Sequence, residues 1–182
     1  MPIKFLFTTV LYLALLAVAL VLQIVAMVFA PIIALFVDEK TGNLPWYLRW
    51  FQTPDATCYD EMWVAEHPTW SKYKIARTWI ARNPAYGFRK WCGLDASKIK
   101  IDTVVGEINI ADGEKPKAGY FFIIDDRGFW NFSYVIDLHN GSCMRGEWGW
   151  YLLPKVKGYD SVNTGMLQSD LIRFYSFGVK GN

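Results

Sequence analysis

The chain has 182 residues, with nineteen basic and seventeen acidic side chains and a formal net charge of +2. These charges are mixed along the sequence without a run of five like charges or a basic helix face, which argues against a nucleic-acid partner. Aromatic residues make up 17% of the chain and include nine Trp. Such an excess is typical of a dense small core, a membrane interface or a contact face.

The first predicted element is an apolar segment over residues 5–36, which carries no charged residue. About 20 apolar residues are enough to cross a bilayer, so the sequence predicts a transmembrane helix. As a straight helix the segment would be ~48 Å long against a hydrocarbon core of ~30 Å, so a tilt or emergence of the last turns is expected. A secretory signal is the alternative, but its apolar core is only ~7–15 residues long, and Pro31 disfavours cleavage after Ala30.

Residues 38–70 are predicted to connect this anchor to a folded domain. Within them the aromatic stretch Trp-Tyr-Leu-Arg-Trp-Phe occupies residues 46–51. One interpretation places its rings at the level of the lipid headgroups, with Arg49 reaching phosphates. The other interpretation has the same aromatic side chains begin the core of the domain that follows.

A short amphipathic helix is predicted over residues 71–83. Ser71 provides a cap, and apolar side chains recur at four-residue spacing from Ile75 to Ile80. Pro84 then ends the helix.

After Gly93 the apolar pattern changes to a period of two, which is typical of strands. Strands are predicted at residues 103–110, 130–138 and 144–152, which alternate, at residues 120–124, which form an apolar run, and at residues 171–177. Asp112-Gly113 and Asn140-Gly141 are turn signals between them, and Asn-Gly strongly favours a two-residue hairpin. The predicted fold class is α+β: an N-terminal transmembrane helix, then a short amphipathic helix packed on an antiparallel β-meander of four to six strands.

The sequence carries no assembled catalytic, cofactor-binding or metal-binding motif. It has no H-E-x-x-H, G-x-S-x-G, P-loop or G-x-G-x-x-G pattern, so no catalytic residue, cofactor or metal ligand is assigned. Cys58, Cys92 and Cys143 fit neither a zinc site nor a disulfide framework, and isolated thiols are expected.

Two groups of residues suggest a possible site despite the lack of a motif. Asp55, Glu66 and His67 would supply acid and base groups to a hydrolase, provided that the fold gathers them in one cleft. Residues 146–150, Gly-Glu-Trp-Gly-Trp, place two Trp beside two Gly. They form either a stacking platform for a sugar or peptide or, as the favoured interpretation, a bulged strand with its Trp side chains in the core.

Two longer strings go beyond composition: Trp-Phe-Gln-Thr-Pro-Asp at residues 50–55 and Arg-Asn-Pro-Ala-Tyr-Gly-Phe at residues 82–88. They resemble a family of small uncharacterised proteins encoded by tailed bacteriophages, in which an apolar N-terminal segment precedes such motifs. The resemblance covers mainly residues 46–93, and it implies phage origin and a membrane location without an activity. The residues assigned to this structural motif are Trp50, Thr53, Pro54, Asp55, Arg82, Asn83, Pro84, Tyr86, Gly87 and Phe88.

The second string is expected to connect helix and sheet as a structural lock. Pro84 stops the helix, Gly87 permits a tight turn that a Cβ would strain, and Tyr86 and Phe88 point into apolar surroundings. Arg82, in the terminal turn, is expected to be solvated.

These observations predict a phage-encoded, single-pass accessory protein without enzymatic activity at the inner membrane of a bacterial host. Its expected partners are the lipid bilayer and another protein. The alternatives are a virion structural component with a membrane-entering segment, and a membrane-tethered hydrolase. Orientation stays open, because Lys4 and the amino terminus on one side balance Lys40 and Arg49 on the other. The predicted domains are an anchor at 1–37, an interfacial or linker segment at 38–70 and an α+β domain at 71–182.

Overall fold

The computed structural model describes residues 2–110, 117–139 and 142–176. Contacts divide the chain into two compact units. The sheet unit comprises Met1–Ala14 and Gly93–Asn182, and the helical unit comprises Leu15–Cys92. This grouping differs from the division predicted from the sequence, because the first helix contributes residues to both units.

The described elements follow in chain order. The helices are α1 (Pro2–Ile33), α2 (Glu61–Glu66), α3 (Lys72–Arg82), α4 (Tyr86–Trp91) and α5 (Leu153–Val156), and 3₁₀ helices cover Ala34–Phe36, Trp46–Phe51 and Ala96–Lys98. The strands are β1 (Ile101–Gly106), β2 (Gly119–Asp125), β3 (Trp130–Asp137), β4 (Ser142–Trp150) and β5 (Leu167–Ser176).

The five strands form one antiparallel sheet in the order β1-β2-β3-β4-β5, which confirms the predicted α+β class and meander. Each strand pairs with its sequence neighbour, and a short turn at residues 126–129 joins β2 to β3. The register shifts between Arg145 and Glu147, so β4 carries the irregularity that its glycines suggested. The turn signals at Asp112-Gly113 and Asn140-Gly141 lie outside the described residues.

The first strand is shorter than predicted, and its extension to Ile110 was wrong. Gly106 has a φ of +86°, and a Cβ there would lie 2.2 Å from the carbonyl oxygen of Tyr120. Beyond it, the Glu107 carboxylate accepts the backbone N–H of Asn109 at 2.9 Å, which closes a local turn. The alternation of apolar residues continues to Ile110, although the strand conformation ends at Gly106.

In the sheet unit, the first turns of α1 pack on the sheet through a few buried side chains. The Tyr12 hydroxyl donates to the carbonyl of Gln168 at 3.0 Å, and the Tyr12 ring lies 5.0 Å from that of Trp130 and 5.7 Å from that of Trp150. The Thr8 hydroxyl donates to the carbonyl of Gly128 at 2.6 Å. An α-helix thus covers part of one sheet face and fixes its own register there by two hydrogen bonds.

In the helical unit, α3 packs against the last turns of α1. The predicted helix is confirmed: Ser71 accepts the backbone N–H of Lys74 at 3.3 Å, and α3 ends before Pro84. The Tyr73 hydroxyl donates to the carbonyl of Pro31 at 3.1 Å. The sequence assigned this helix to the sheet, whereas its buried face here lies on the end of α1. The shared core contains Ala30, Ile33, Ala34, Val37, Leu44, Cys58, Ala76 and Ile80.

We predict that Tyr12→Ala lowers the free energy of unfolding by ~3–5 kcal/mol, because it removes a buried ring between two Trp side chains. Tyr12→Phe should cost only ~0.5–1.5 kcal/mol, the value of one hydrogen bond. Urea unfolding in mild detergent, followed by Trp fluorescence, measures both. Leu13→Ala is the matched control, because the Leu13 side chain is 57% exposed. Equal losses for Tyr12→Ala and Leu13→Ala would contradict this packing.

Candidate functional site

The helical unit brings the two sequence strings together. Helix α4, which contains Gly87, lies against the 3₁₀ helix Trp46–Phe51. A Cβ on Gly87 would lie 2.0 Å from the carbonyl oxygen of Arg49 and 2.9 Å from that of Gln52. Glycine therefore permits close approach of two backbones at this position. The left-handed position is two residues earlier, at Ala85 with φ +56°, so the expected tight turn does not lie at Gly87.

Aromatic rings complete this junction. The Trp50 ring lies 5.6 Å from that of Phe88 and 5.7 Å from that of Trp91. Phe88 is buried, whereas Trp50 is 44% and Trp91 69% exposed. The junction thus has an apolar inner side and an aromatic surface.

A buried glutamine fixes the loop that follows the first string. The Gln52 side chain accepts the backbone N–H of Leu44 at 2.8 Å. Its amide donates to the Asn43 side chain at 2.7 Å and to the carbonyl of Ala56 at 3.1 Å. Thr53 donates to the same carbonyl at 3.2 Å. Four bonds within one short segment hold the Thr-Pro-Asp loop in a single conformation.

The loop borders a cleft of about 830 Å³ in the helical unit. Its charged lining residues are Arg49, Asp55, Asp60, Glu61 and Lys90, so the cleft presents both signs of charge. Asp60 also caps α2, accepting the backbone N–H of Trp63 at 3.0 Å. Burial, and then the negative charge of Glu39, raises the pKa of Tyr59, whose phenol lines the cleft in its neutral form. The cleft therefore carries both hydrogen-bond donors and hydrogen-bond acceptors.

The remaining residues of the second string support this junction from α3. The Arg82 guanidinium lies 4.6 Å from the ring centre of Trp63, and its side chain is exposed. The side-chain amide of Asn83 donates to the carbonyl of Trp79 at 3.3 Å, which satisfies a terminal helix acceptor. The Tyr86 ring lies under the buried guanidinium of Arg89, 4.5 Å away.

The three hydrolase candidates do not converge in this structure. Asp55 lines the cleft, but Glu66 and His67 are absent from its lining. The imidazole of His67 stacks between Trp63 and Trp70, with ring centres 4.1 and 3.9 Å away. Among the described residues, no group of three His, Cys, Asp or Glu side chains is placed to hold a metal ion. Asp55, Glu66 and His67 therefore do not form an acid–base set in this cleft.

Residues 146–150 were expected to be a stacking platform or a core strand. In the structure their two Trp side chains differ in burial. Trp150 is fully buried, and Trp148 is 38% exposed. Trp148 belongs to a set of rings on one sheet face, here called the aromatic ladder, in which Phe132 lies 6.0–6.5 Å from each of four neighbours. The ladder consists of Tyr120, Phe122, Phe132, Tyr134 and Trp148.

Sequence reasoning selected Thr53, Pro54, Asp55 and Gly87 of the cleft lining and none of the other lining residues, of which Gln52 and Lys90 are two. Gln52 was part of the first string, yet it was not selected. Its signal was a lone amide between an aromatic run and a Thr-Pro turn. Lys90 had no sequence signal, because a basic residue in the last turn of a helix is typical of an exposed surface.

The model of a protein family described as a family of unknown function (DUF7338) matches residues 3–172, which include α1 and all but the last residues of β5. Searches of curated proteins and of solved structures found no match. The match covers both compact units and carries no activity with it.

We predict that Phe88→Ala lowers the free energy of unfolding by ~3–5 kcal/mol, because the ring is buried in the junction. Arg82→Ala should cost ~1 kcal/mol or less, since an exposed cation–π contact contributes little. Thermal and urea unfolding of the two variants in the same detergent provide the comparison. An unchanged midpoint for Phe88→Ala would show that the second string is a recognition loop and not a structural lock.

The buried thiols generate a pH prediction. Burial raises the pKa of Cys58 to about 12 and that of Cys92 to about 11. At pH 9 iodoacetamide should therefore alkylate Cys58 far more slowly in the native chain than in guanidinium, as measured by mass spectrometry. The pKa of Cys58 is higher in the folded chain than in the unfolded chain, where it is ~8.5. Its contribution to the free energy of unfolding is therefore fully present below pH ~8.5 and is lost as the pH rises toward 12. Cys58→Ala should reduce the loss of stability at alkaline pH. Equal rates of alkylation in the native and the unfolded chain would contradict the burial of Cys58.

Proposed function

Because the chain belongs to the DUF7338 family, whose function is unknown, we propose its role from its own geometry. It is a membrane-attached accessory protein without enzymatic activity, and it acts through contacts with another protein. Helix α1 contacts the bilayer. The charged cleft of the helical unit contacts the protein partner.

The observation that carries the proposal is the exposed apolar surface of α1. The segment Ile3–Phe36 has a mean hydropathy of 2.8 and is long and apolar enough to cross a membrane. A core helix of a soluble domain would bury most of this surface, but side chains such as Phe7, Val21 and Leu35 are 59–70% exposed. An apolar patch of this extent is costly in water, so a lipid surface is the environment that suits it.

The cleft supports the choice of a protein contact over catalysis. Its two cations and three carboxylates line a polar space that the Gln52 network shapes. Recognition of an extended polar segment needs such donors and acceptors, whereas hydrolysis needs a nucleophile, a base and a site between them. The hydrolase alternative lacks that arrangement in the cleft.

Phage origin and the host inner membrane are further parts of the proposal. They are supported by the resemblance of the strings at residues 50–55 and 82–88 to tailed-bacteriophage membrane proteins. The virion-component alternative predicts a different location for the same chain, inside purified particles.

The test uses full-length chain with a photo-crosslinking amino acid at Met62, a cleft residue that is 73% exposed. In infected bacteria we expect the chain in the membrane fraction and a single discrete crosslinked protein. Tyr159, 48% exposed on the sheet unit, is the matched control position and should give no such product.

Mass spectrometry of purified particles completes this experiment. Stoichiometric presence in particles would overturn the accessory role in favour of the virion component. A chain that fractionates with soluble proteins would overturn membrane attachment. Crosslinks of equal yield from Met62 and Tyr159 would remove the cleft as the contact surface.

A further inference from the structure

We propose that α1 lies along one leaflet of the membrane, with its exposed face in lipid, and does not cross the bilayer. This inference rests on the proposed membrane attachment and specifies its geometry. It replaces the single pass that the length of the apolar run predicts.

The burial pattern of α1 is one-sided. Buried positions recur at spacings of three, four or seven residues, which places them on one stripe of the helix. The buried members are Thr8, Tyr12, Ala19, Ala26, Ala30 and Ile33. Exposed positions such as Val10, Val21 and Ile32 lie between them in the sequence. A helix that crosses a membrane alone meets lipid on every side, whereas this helix has a protein-covered stripe from its first turns to its last.

The two ends of α1 are occupied by protein contacts. Residues 5–12 pack with the sheet unit, and residues 30–37 pack in the core of the helical unit. Residues 13–29 remain, and at 1.5 Å per residue they span ~26 Å, short of a hydrocarbon core of ~30 Å. Ala19 and Ala26, within this remainder, are themselves fully buried.

Charged groups adjoin the first of these contacts. The Thr8 hydroxyl bonds the carbonyl of Gly128, in a turn where Arg127 pairs with Asp125 at 2.6 Å. The Lys4 ammonium group donates to the carbonyl of Asp126 at 3.4 Å. A charged side chain is costly at the bilayer centre, so this end of α1 stays near the aqueous phase.

Lipid fits the exposed face better than a second copy of the chain. A helical dimer seam is narrow and is flanked by charged positions, but residues 5–36 contain no charge. Trp46 and Tyr47, 83% and 55% exposed in the helical unit, are the residue types that favour the headgroup region. In the sheet unit the Phe5 ring, 6.0 Å from that of Phe122, joins α1 to the half-exposed aromatic ladder. A helix in the membrane plane also removes the mismatch between its length and the bilayer thickness.

The first test labels both ends of α1 in cells. Lys4→Cys and Lys40→Cys place single reactive thiols at exposed positions flanking the uncharged run. Cys92→Ser removes the half-buried native thiol, while Cys58 and Cys143 are buried. We expect a membrane-impermeant maleimide to label both positions in the same preparation, either spheroplasts or inverted vesicles. Labelling of one position in each preparation would show a crossing helix and overturn the inference.

The second test measures depth along the helix. Nitroxide labels on full-length chain in phosphatidylglycerol–phosphatidylethanolamine vesicles would replace Phe7, Val21 and Leu35, all exposed. A helix in the membrane plane predicts one depth of ~5–10 Å for all three, measured by oxygen and nickel-chelate collisions. A crossing helix predicts the greatest depth at Val21, ~15 Å from either surface.

Each remaining outcome has one meaning. Spin–spin coupling between copies at Val21, without oxygen access, would assign this face to a second chain and overturn the inference. Chain that fails to sediment with membranes or vesicles would overturn the proposed membrane attachment itself. Chain that sediments but carries its ends on opposite sides would overturn the in-plane geometry alone.

Discussion

The buried stripe of α1 is the constraint on which the other features depend. Thr8 and Tyr12 bind the first turns to the sheet, and Ala30 and Ile33 join the core with α3. One continuous helix serves both packing surfaces, and its exposed side chains between residues 5 and 33 are apolar. The proposed attachment to lipid rests on this uncovered surface.

The fold was predictable wherever the sequence alternates between polar and apolar residues. Most strands of the meander and α3 show a clear hydrophobic period, because one face of each is buried and the other is exposed to solvent. Within α1 almost every residue is apolar, so periodicity carries no information about which side is buried. The buried stripe was therefore invisible, although Thr8 and Tyr12 are polar residues placed on it. The end of β1 was misjudged for a related reason, since alternation continued where Gly106 turns the backbone.

The candidate cleft was only partly predictable. The strings at residues 50–55 and 82–88 were selected as a motif, and the structure brings them into contact. Their roles differ from those that local rules suggested: Gly87 provides clearance for the carbonyl of Arg49, and Ala85 takes the left-handed conformation. The role of Gly87 depends on a backbone from another segment. Such proximity is a tertiary property, which propensity and motif spacing do not encode.

The contacts of Tyr12 also set an order of events during synthesis. Its hydrogen-bond acceptor, Gln168, is 156 residues later in the chain, and the acceptor of Thr8 is 120 residues later. At ~5–20 residues per second, ribosomes leave the first turns of α1 without these partners for roughly 8–30 s. During that interval the side of the helix that later docks on the sheet is still uncovered. The final docking onto the sheet is then a late, long-range step of the kind that slows folding.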